Sequence, residues 1–336
     1  MSLMEIIENT FNKDLRIPRA LKDKRICFLD IETTGLSRMK DNIYLIGLVF
    51  FDEEIKSWKL SQFFAEELKE EVDILLKVYE LIKGFDLIIN YNGSSFDLPF
   101  INSKLEYYKR GLKIDLNKSF DLLRIIKNNR YILGLESFRL EDVEEYLGIY
   151  RSDQYSGREC IKVYLDYIVS KDPSLKERIL LHNYEDLYYL LDVISILDEI
   201  EDLKSFKIYH MEETIKFNIE QIYFEKDYLF VDGNIENNKL GNVKHFADGY
   251  QINISKEGHF EIALENREGL VTPTKRCRFL MAENLGLNTE EFINKANKEY
   301  RIPKGIILLQ VEKYLFMDNI KAVLKGLIEK IIHQLY

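Results

Sequence analysis

The chain has 336 residues, of which 46% are hydrophobic, so it is long enough for one large domain plus a smaller one, or for two medium domains. Its 57 acidic residues outnumber its 47 basic residues and give a net charge of -10, which argues against broad, charge-driven binding to nucleic acid because phosphate neutralisation needs lysine and arginine. Three widely separated cysteines fit neither a disulfide framework nor a zinc site, and without a secretory leader or a long apolar run we expect a cytoplasmic protein with no membrane anchor.

Hydrophobic patterning predicts a mixed order of strands and helices in the first two hundred residues. Three strands come first, followed by a helix, a strand, a helix and a strand, at 25–32, 44–51, 57–64, 66–83, 87–90, 98–110 and 119–123. From 140 to 200 the pattern is helical, and Pro173 with Ser174 begins a long final helix. This order predicts an α/β fold with a mixed sheet, an antiparallel edge and helices on both faces.

The pattern changes after about residue 203, where alternating apolar and polar residues predict further strands. These strands lie at 215–219, 228–231, 250–254 and 260–264, with breaks at 232–233 and 257–258, and a helix follows from about 320 to 335. We therefore expect an N-terminal extension at 1–24, the mixed-sheet domain at 25–203 and a smaller C-terminal α+β domain of unknown role at 204–336. The basic run Lys275-Arg276-Cys277-Arg278 could contact nucleic acid, but we interpret it as a solvated turn.

Asp30 and Glu32 are separated by one residue at the end of the first predicted strand. Side chains alternate along a strand, so both carboxylates point to the same side of the sheet. Two carboxylates about 4 Å apart cost on the order of 4 kcal/mol at an effective dielectric of about 20, so a site that gathers several needs a cation or a shared proton. The simpler alternative is a pair of surface acids before a plain turn at Thr33-Thr34-Gly35.

Asp97 lies where a buried strand leads into a predicted helix, after the polar segment 90–95. A carboxylate at a helix N-terminus is favoured by the helix dipole, and Asp97 could serve only as a helix cap, with Pro99 in the first turn. The exposed polar end of the strand beside it also suits a functional site at the edge of a sheet.

His182 and Asp186 precede a strongly apolar helical segment and are four residues apart, so on a continuous helix they share one face. One side chain could bind a metal ion while the other handles a water molecule. The alternative is that Asn183 caps a helix that starts there and leaves His182 on the surface.

Together and in this order, the three segments resemble the motifs of the DEDD 3′-to-5′ exonucleases, a ribonuclease-H-like class. The sequence from Asp30 to Gly35 resembles the first motif, and His182 with Asp186 resembles the third, although family members usually carry tyrosine four residues or histidine five residues before that aspartate. Tyr91-Asn92, Phe96-Asp97 and Pro99 resemble the second motif, in the form found in proofreading domains of family B DNA polymerases. The likeness covers about 25–200, and within it 120–122 and 138–151 resemble stand-alone bacterial exonucleases of the YprB-like kind.

The resemblance implies a ribonuclease-H-like fold and a phosphodiesterase site that holds two Mg²⁺ or Mn²⁺ ions. Asp30 would bridge the two ions, and Glu32 and Asp186 would complete the ligands of the ion that activates water. Asp97 would hold the second ion through water. His182 would orient or deprotonate the attacking water.

The implied reaction is 3′-to-5′ hydrolysis at single-stranded DNA or RNA ends. Asn92, Phe96 and the backbone from Thr33 to Leu36 would hold the terminal nucleotide, and the Phe96 ring could stack on a base. The alternative function is a catalytically silent ribonuclease-H-like module that binds nucleic acid or acts as a scaffold.

One stretch, from 104 to 130, is locally basic despite the acidic balance of the chain. Eight lysine and arginine residues face three acidic residues there, a difference of about five positive charges, which could hold a phosphate backbone. The alternative is a solvated helix face followed by a charged loop.

Overall fold

The computed structural model describes residues 4–151, 157–287 and 299–335. The chain divides into two compact units, one formed by Met1–Asn128 with Leu135–Ile196 and the other by Asn129–Gly134 with Leu197–Tyr336. The division falls at Ile196, where the short helix Ile196–Leu203 begins. The boundary expected from the sequence lies at the end of the same helix.

The first unit is built on a six-stranded mixed sheet. Its strands are β1 (Glu5–Phe11), β2 (Ile26–Thr33), β3 (Ile43–Asp52), β4 (Ser57–Phe64), β5 (Leu87–Asn90) and β6 (Ser119–Asp121), in the spatial order β1-β4-β3-β2-β5-β6. The first four strands in this order pair antiparallel, and β5 and β6 continue the sheet parallel to β2. This is a mixed sheet with an antiparallel edge, and the predicted fold class is confirmed.

Helices flank this sheet. They are α1 (Glu71–Ile82), α2 (Asp97–Tyr107), α3 (Leu122–Asn128), α5 (Leu140–Tyr146), α6 (Gly157–Ser170) and α7 (Pro173–Val193), and α4 (Arg130–Leu133) belongs to the second unit. Helix α1 contacts β3 and β4, whereas α6 and α7 contact β2. Helix α7 begins where the sequence predicts, because Asp172 accepts a hydrogen bond from the Ser174 N–H at 2.9 Å and Pro173 occupies the first turn.

Two local differences from the expectation arise at the edges of the first unit. Residues 5–11, within the expected N-terminal extension, form β1 and pair with β4. The sequence did not predict this strand, because a half-exposed edge strand shows little alternation of apolar and polar residues. The strand expected to reach Leu123 ends at Asp121, where α3 begins. The core of this unit lies on β2 and β3, whose Phe28, Leu45 and Ile46 are fully buried.

The second unit holds two antiparallel sheets. The larger contains β7 (Ser205–His210), β8 (Glu213–Glu225), β9 (Tyr228–Glu236), β10 (Val243–Ala247), β11 (Tyr250–Ile254) and β12 (His259–Glu265), in the order β10-β11-β12-β9-β8-β7. The smaller contains β13 (Arg267–Leu270), β14 (Arg276–Met281), β15 (Ile306–Val311) and β16 (Tyr314–Leu315). Helices α4, α8 (Ile196–Leu203), α9 (Ala282–Leu285) and α10 (Met317–Leu335) complete an α+β unit, as expected.

Two expectations for the second unit were wrong in detail. Gly233 does not end a strand but lies inside β9. A Cβ atom at this position would come within 2.0 Å of the Asn218 carbonyl oxygen. Glycine therefore permits the close approach of β8, at a place where the register of the two strands is irregular. Arg276 and Arg278 lie on β14 and not in a turn. Among the described residues, no helix combines the length and apolar character needed to cross a bilayer.

Candidate active site

The end of β2 carries two acidic side chains on one face of the sheet. Asp30 and Glu32 alternate with the buried Ile31, and Gly47 on β3 lies directly opposite Asp30. Glu32 is only 6% exposed, so the alternative of two solvated surface acids does not hold. These carboxylates therefore point toward the element that packs on this face of the sheet.

Helix α7 packs there and is fixed to the sheet by an amide pair. The Asn183 Nδ2 donates a hydrogen bond to Asp30 Oδ2 at 2.8 Å, and Gln62 Nε2 on β4 donates to Asn183 Oδ1 at 3.0 Å. A Cβ atom at position 47 would come within 2.3 Å of Asn183 Oδ1, so Gly47 makes the close approach possible. The alternative role of Asn183 as a helix cap is wrong, because α7 has already begun at Pro173.

His182 and Asp186 lie on one face of α7 and point at Glu32. The His182 Nε2 is 3.6 Å from Glu32 Oε1 and 3.7 Å from Asp186 Oδ2. One ligand atom from each of these three residues lies within 4.8 Å of the other two. Such a group of oxygen and nitrogen donors can hold a divalent cation.

Asp97 reaches the same place from α2. It is the first residue of that helix, is 5% exposed, and its Oδ1 accepts a hydrogen bond from the Ile31 N–H at 3.2 Å. Its carboxylate is thus tied to β2 and is more than a helix cap. The preceding turn is held by Asp121 at the end of β6, which accepts hydrogen bonds from the backbone N–H groups of Asn92 at 2.9 Å and Ser94 at 3.2 Å.

The electrostatics show how strongly these acids are crowded. Burial raises the pKa of Glu32 to about 8, with neighbouring His182 opposing the shift, and burial raises the pKa of Asp97 to about 7 against the backbone hydrogen bonds that it accepts. Burial, together with the charges of Asp186, Glu32 and Asp97, also raises the pKa of Asp30 well above its usual value. Acids in this arrangement are stabilised by a proton or by a cation placed among them.

The histidine carries part of the compensating charge. Burial by itself would lower the pKa of His182, but a hydrogen bond with Cys160 and the charges of Asp186 and Glu32 raise it to about 11. Cys160, buried on α6, is therefore a neighbour of the site. Cys160 lies outside the three motifs, so the sequence gave no sign of this contact.

Several other neighbours of the site were not found by sequence reasoning. Asn183 and Gln62 position Asp30, while Arg151 donates hydrogen bonds both to Asp186 and to the buried Glu144 of α5. Asn183 lies between two residues of the third motif, which was an available signal. Arg151 and Glu144 belong to the segment 138–151 that resembles stand-alone exonucleases, but that resemblance gave them no role, and the packing of α5 near α7 brings them to the site.

The residues expected to hold the substrate lie on two loops beside the carboxylates. Leu36, in the loop after β2, is 80% exposed, whereas Thr33 is buried and donates its hydroxyl hydrogen to the Gly35 carbonyl. Asn92 has a positive φ of 70° in the loop before α2. Phe96 is half-buried, with its ring centroid 5.5 Å from that of Phe100. The two exposed side chains, Leu36 and Asn92, are thus the ones most open to a ligand.

The basic stretch from 104 to 130 does not form one exposed patch. Lys104 is 4% exposed and lies 3.6 Å from the buried Glu71, and Lys118 donates a hydrogen bond to the Phe85 carbonyl at 2.7 Å. Two of its eight basic residues are therefore used inside the fold, which weakens the case for a phosphate-binding patch.

Among curated proteins, two DNA polymerases are similar to part of this chain. The DNA polymerase of Methanocaldococcus jannaschii is 27% identical over 135 residues, which make up 33% of this chain and 8% of the polymerase. The PolC-type DNA polymerase III of Listeria innocua is 30% identical over 127 residues, 32% of this chain and 9% of the polymerase. The similarity thus involves less than a tenth of either relative.

Solved structures give matches of low similarity. The family B DNA polymerase of Pyrobaculum calidifontis matches with a TM-score of 0.40 and 14% identity, over 54% of this chain and 25% of the polymerase. Exonuclease I matches with a TM-score of 0.32 and 16% identity, over 63% of this chain and 55% of the exonuclease. The family profile RNase_H_2, which represents the RNase_H superfamily, matches residues 27–198, or 172 of the 336 residues, and the chain belongs to that superfamily.

Proposed function

We propose that the protein is a metal-dependent nuclease, and more specifically a 3′-to-5′ exonuclease of the DEDD class that acts on single-stranded DNA or RNA ends. The observation that carries the proposal is the convergence of Glu32, His182 and Asp186 within 4.8 Å, with Asp30 beside them and Asp97 close enough to raise the pKa of Asp30. Membership of the RNase_H superfamily and the similarity to DNA polymerases support it. The YprB-like, stand-alone kind is the form that we favour.

The donor set suits Mg²⁺ or Mn²⁺. Asp30, Glu32, Asp97 and Asp186 offer the hard carboxylate oxygens that these cations prefer. Burial raises the pKa of Glu32 and of Asp97, so a cation among them would favour their anionic forms. These four residues would hold a pair of such ions, which would supply stabilisation of the attacking and leaving oxygens of an in-line phosphodiester displacement.

The protein's own groups hold this arrangement and handle the water. Asn183 fixes the rotamer of Asp30, and the Ile31 N–H fixes that of Asp97, so that both carboxylates are oriented before a ligand arrives. His182, at 3.6 Å from Glu32, is placed to orient the attacking water and would be the nearest group to accept its proton.

The strand end would be held by few and local contacts. The exposed Leu36 would offer an apolar surface to the terminal nucleotide, and the exposed Asn92 would offer an amide. The half-buried Phe96 would offer part of its ring to a base. Thr33 supports the loop that carries Leu36, through its hydrogen bond to Gly35. A net charge of -10 favours such a grip on an end over coating of a long strand.

Cleavage of labelled oligonucleotides tests the proposal. Single-stranded DNA and RNA of one sequence, labelled at either end, are incubated with Mn²⁺, with Mg²⁺ or with a chelator. We expect a ladder from the 5′-labelled strand, immediate release of a labelled mononucleotide from the 3′-labelled strand, and no cleavage of a circular strand or in chelator.

Variants separate this activity from contamination. Asp30→Ala should abolish cleavage, whereas Asp166→Asn, which removes an exposed carboxylate from α6, should leave it unchanged. Equal activity of Asp30→Ala and the wild type would refute the assignment of the site. Cleavage of the circle would indicate an endonuclease, and absence of both cleavage and Mn²⁺ binding would favour a catalytically silent module.

A further inference from the structure

A buried arginine outside the three motifs contacts a residue of the proposed site. Arg151 follows α5, and its side chain is 8% exposed. Its Nη1 donates a hydrogen bond to Asp186 Oδ1, while its Nε and Nη2 donate to the two carboxylate oxygens of Glu144, the latter at 2.6 Å. One edge of the guanidinium thus pairs with the Glu144 carboxylate, and its remaining amino group donates to Asp186.

Glu144 serves to hold this arginine. Its side chain is 2% exposed on α5, and the bidentate pairing fixes the plane of the guanidinium in the way that only arginine permits. The Arg151 Cζ also lies 5.9 Å from the ring centroid of Tyr189, which follows Asp186 on α7. The arginine is therefore a rigid link between α5 and α7.

The link divides the two oxygens of Asp186 between different partners. Oδ1 accepts the hydrogen bond from Arg151, and Oδ2 is turned to the site, 3.7 Å from His182 Nε2. The His182 imidazole attracts Oδ2 from the side of the site, so the arginine and the histidine together hold this rotamer. The positive charge also offsets part of the repulsion among Asp186, Glu32 and Asp30.

We propose that Arg151, oriented by Glu144, is a positioning residue that presents Asp186 Oδ2 to the metal ions. This inference rests on the proposed function for its effect on cleavage, but its effect on metal binding is independent of any nucleic-acid substrate. Groups that orient a metal ligand typically change metal affinity or activity by about 10- to 100-fold when replaced.

The test measures Mn²⁺ binding and cleavage in two variants. Arg151→Lys keeps the charge but cannot bridge Glu144 and Asp186 with a planar fork, and Glu144→Gln loosens the arginine without touching any carboxylate of the site. We expect Arg151→Lys to weaken Mn²⁺ binding in calorimetry by about 10-fold or more and to lower kcat by a similar factor, with KM for the oligonucleotide unchanged. Glu144→Gln should give a smaller loss, and the double variant should lose less than the product of the two single losses, because both act on one link.

Arg158→Lys, at an exposed position on α6, is the matched control and should behave as the wild type. Mn²⁺ affinity and kcat at wild-type values in a folded Arg151→Lys or Glu144→Gln protein would overturn the inference. So would a rise in KM alone, which would make Arg151 a contact for the substrate. If Arg151→Lys does not fold, Glu144→Gln decides the question. If the wild type binds Mn²⁺ but cleaves nothing, the proposed function fails while the calorimetry still tests Arg151.

Discussion

Two groups of buried acids in the first unit differ in what surrounds them. Glu71 on α1 is fully buried, yet its carboxylate accepts hydrogen bonds from the Ile43 N–H at 2.7 Å, from Asn42 Nδ2 at 2.7 Å and from the Tyr108 hydroxyl at 2.6 Å. Lys104 adds a positive charge at 3.6 Å. Every neighbour stabilises the anion, and the cluster ties α1 and α2 to the start of β3.

Glu32 is buried to a similar degree among unfavourable neighbours. Burial raises its pKa to about 8, His182 and the Tyr44 hydroxyl at 3.5 Å oppose that shift, and the charges of Asp186 and Asp97 add to it. Burial of an acid alone therefore does not identify a functional site. The sign of the groups that face the acid is the better guide, because acids with perturbed pKa values and like-charged neighbours are concentrated at functional sites.

The largest expected effect comes from neutralising the crowded group. Asp30→Asn keeps the shape and the hydrogen bond from Asn183 but removes one charge from the proposed metal site. We expect kcat/KM for an oligonucleotide to fall by about 10²- to 10³-fold or more, and the Tm of the metal-free protein to stay level or rise. A large fall in Tm in chelator would contradict the view that these acids are strained without a cation.

The satisfied acid should behave in the opposite way. Glu71→Gln leaves Lys104 without its anionic partner and places amide hydrogens against existing donors, so we expect the free energy of unfolding to fall by about 3 to 5 kcal/mol. Denaturant unfolding measures this change. Glu80→Gln on the same helix is the control, because its exposed ion pair with Lys83 is worth about 0 to 1 kcal/mol. A loss no larger than that of the control would remove the contrast between the two groups.

The pH dependence of the metal-free protein gives a third way to separate the groups. Acids whose pKa is raised by folding bind more protons in the native state, so their contribution to stability is present at low pH and is lost as pH rises through the folded pKa values, about 7 for Asp97 and about 8 for Glu32. We expect the Tm in chelator to fall between pH 5 and about pH 8. Over the same range the free energy of unfolding should fall by an amount on the order of 2 to 4 kcal/mol. Thermal unfolding in Glu32→Gln should show a flatter profile, and added Mn²⁺ should restore stability at the upper end. A Tm that rises over this range would show that ionisation of these buried acids does not destabilise the protein.

The smallest effect expected concerns the fit of α7 on the sheet. Gly47→Ala places a methyl group 2.3 Å from Asn183 Oδ1 and Leu187 Cδ1, so α7 must shift, at a cost of about 1 to 3 kcal/mol. Activity should fall with stability because Asn183 also holds Asp30. Gly84→Ala, where the nearest atom is 3.5 Å away, should change neither property. Equal behaviour of the two variants would mean that α7 does not need its present distance from β3.

Much of the first unit could be predicted because its signals are local. Strands β4 and β5 have the predicted bounds, and α7 starts at the predicted proline, since alternation, apolar runs and caps are encoded in neighbouring residues. Strand β1 escaped detection because an edge strand has a weak pattern. Gly233 was misread because glycine marks both turns and close approaches of strands, and only the partner strand decides which.

The candidate site divides in the same way. Asp30, Glu32, Asp97, His182 and Asp186 belong to compact motifs, so sequence reasoning could name them, and the structure brings them together. Their roles remain predictions. Arg151 and Glu144 lie in the segment 138–151 that resembles stand-alone exonucleases, but the resemblance gave them no role, because their meeting with Asp186 depends on the packing of α5 near α7.

The hydrogen bond between Asn183 and Asp30 joins residues 153 positions apart. A ribosome releases β2 long before α7, so a growing chain can complete the sheet strands while the site still lacks half of its side chains. The acids of β2 would stay accessible to water during that interval, and the crowding described above would not yet exist. Order of synthesis therefore delays assembly of the site until α7 has been made.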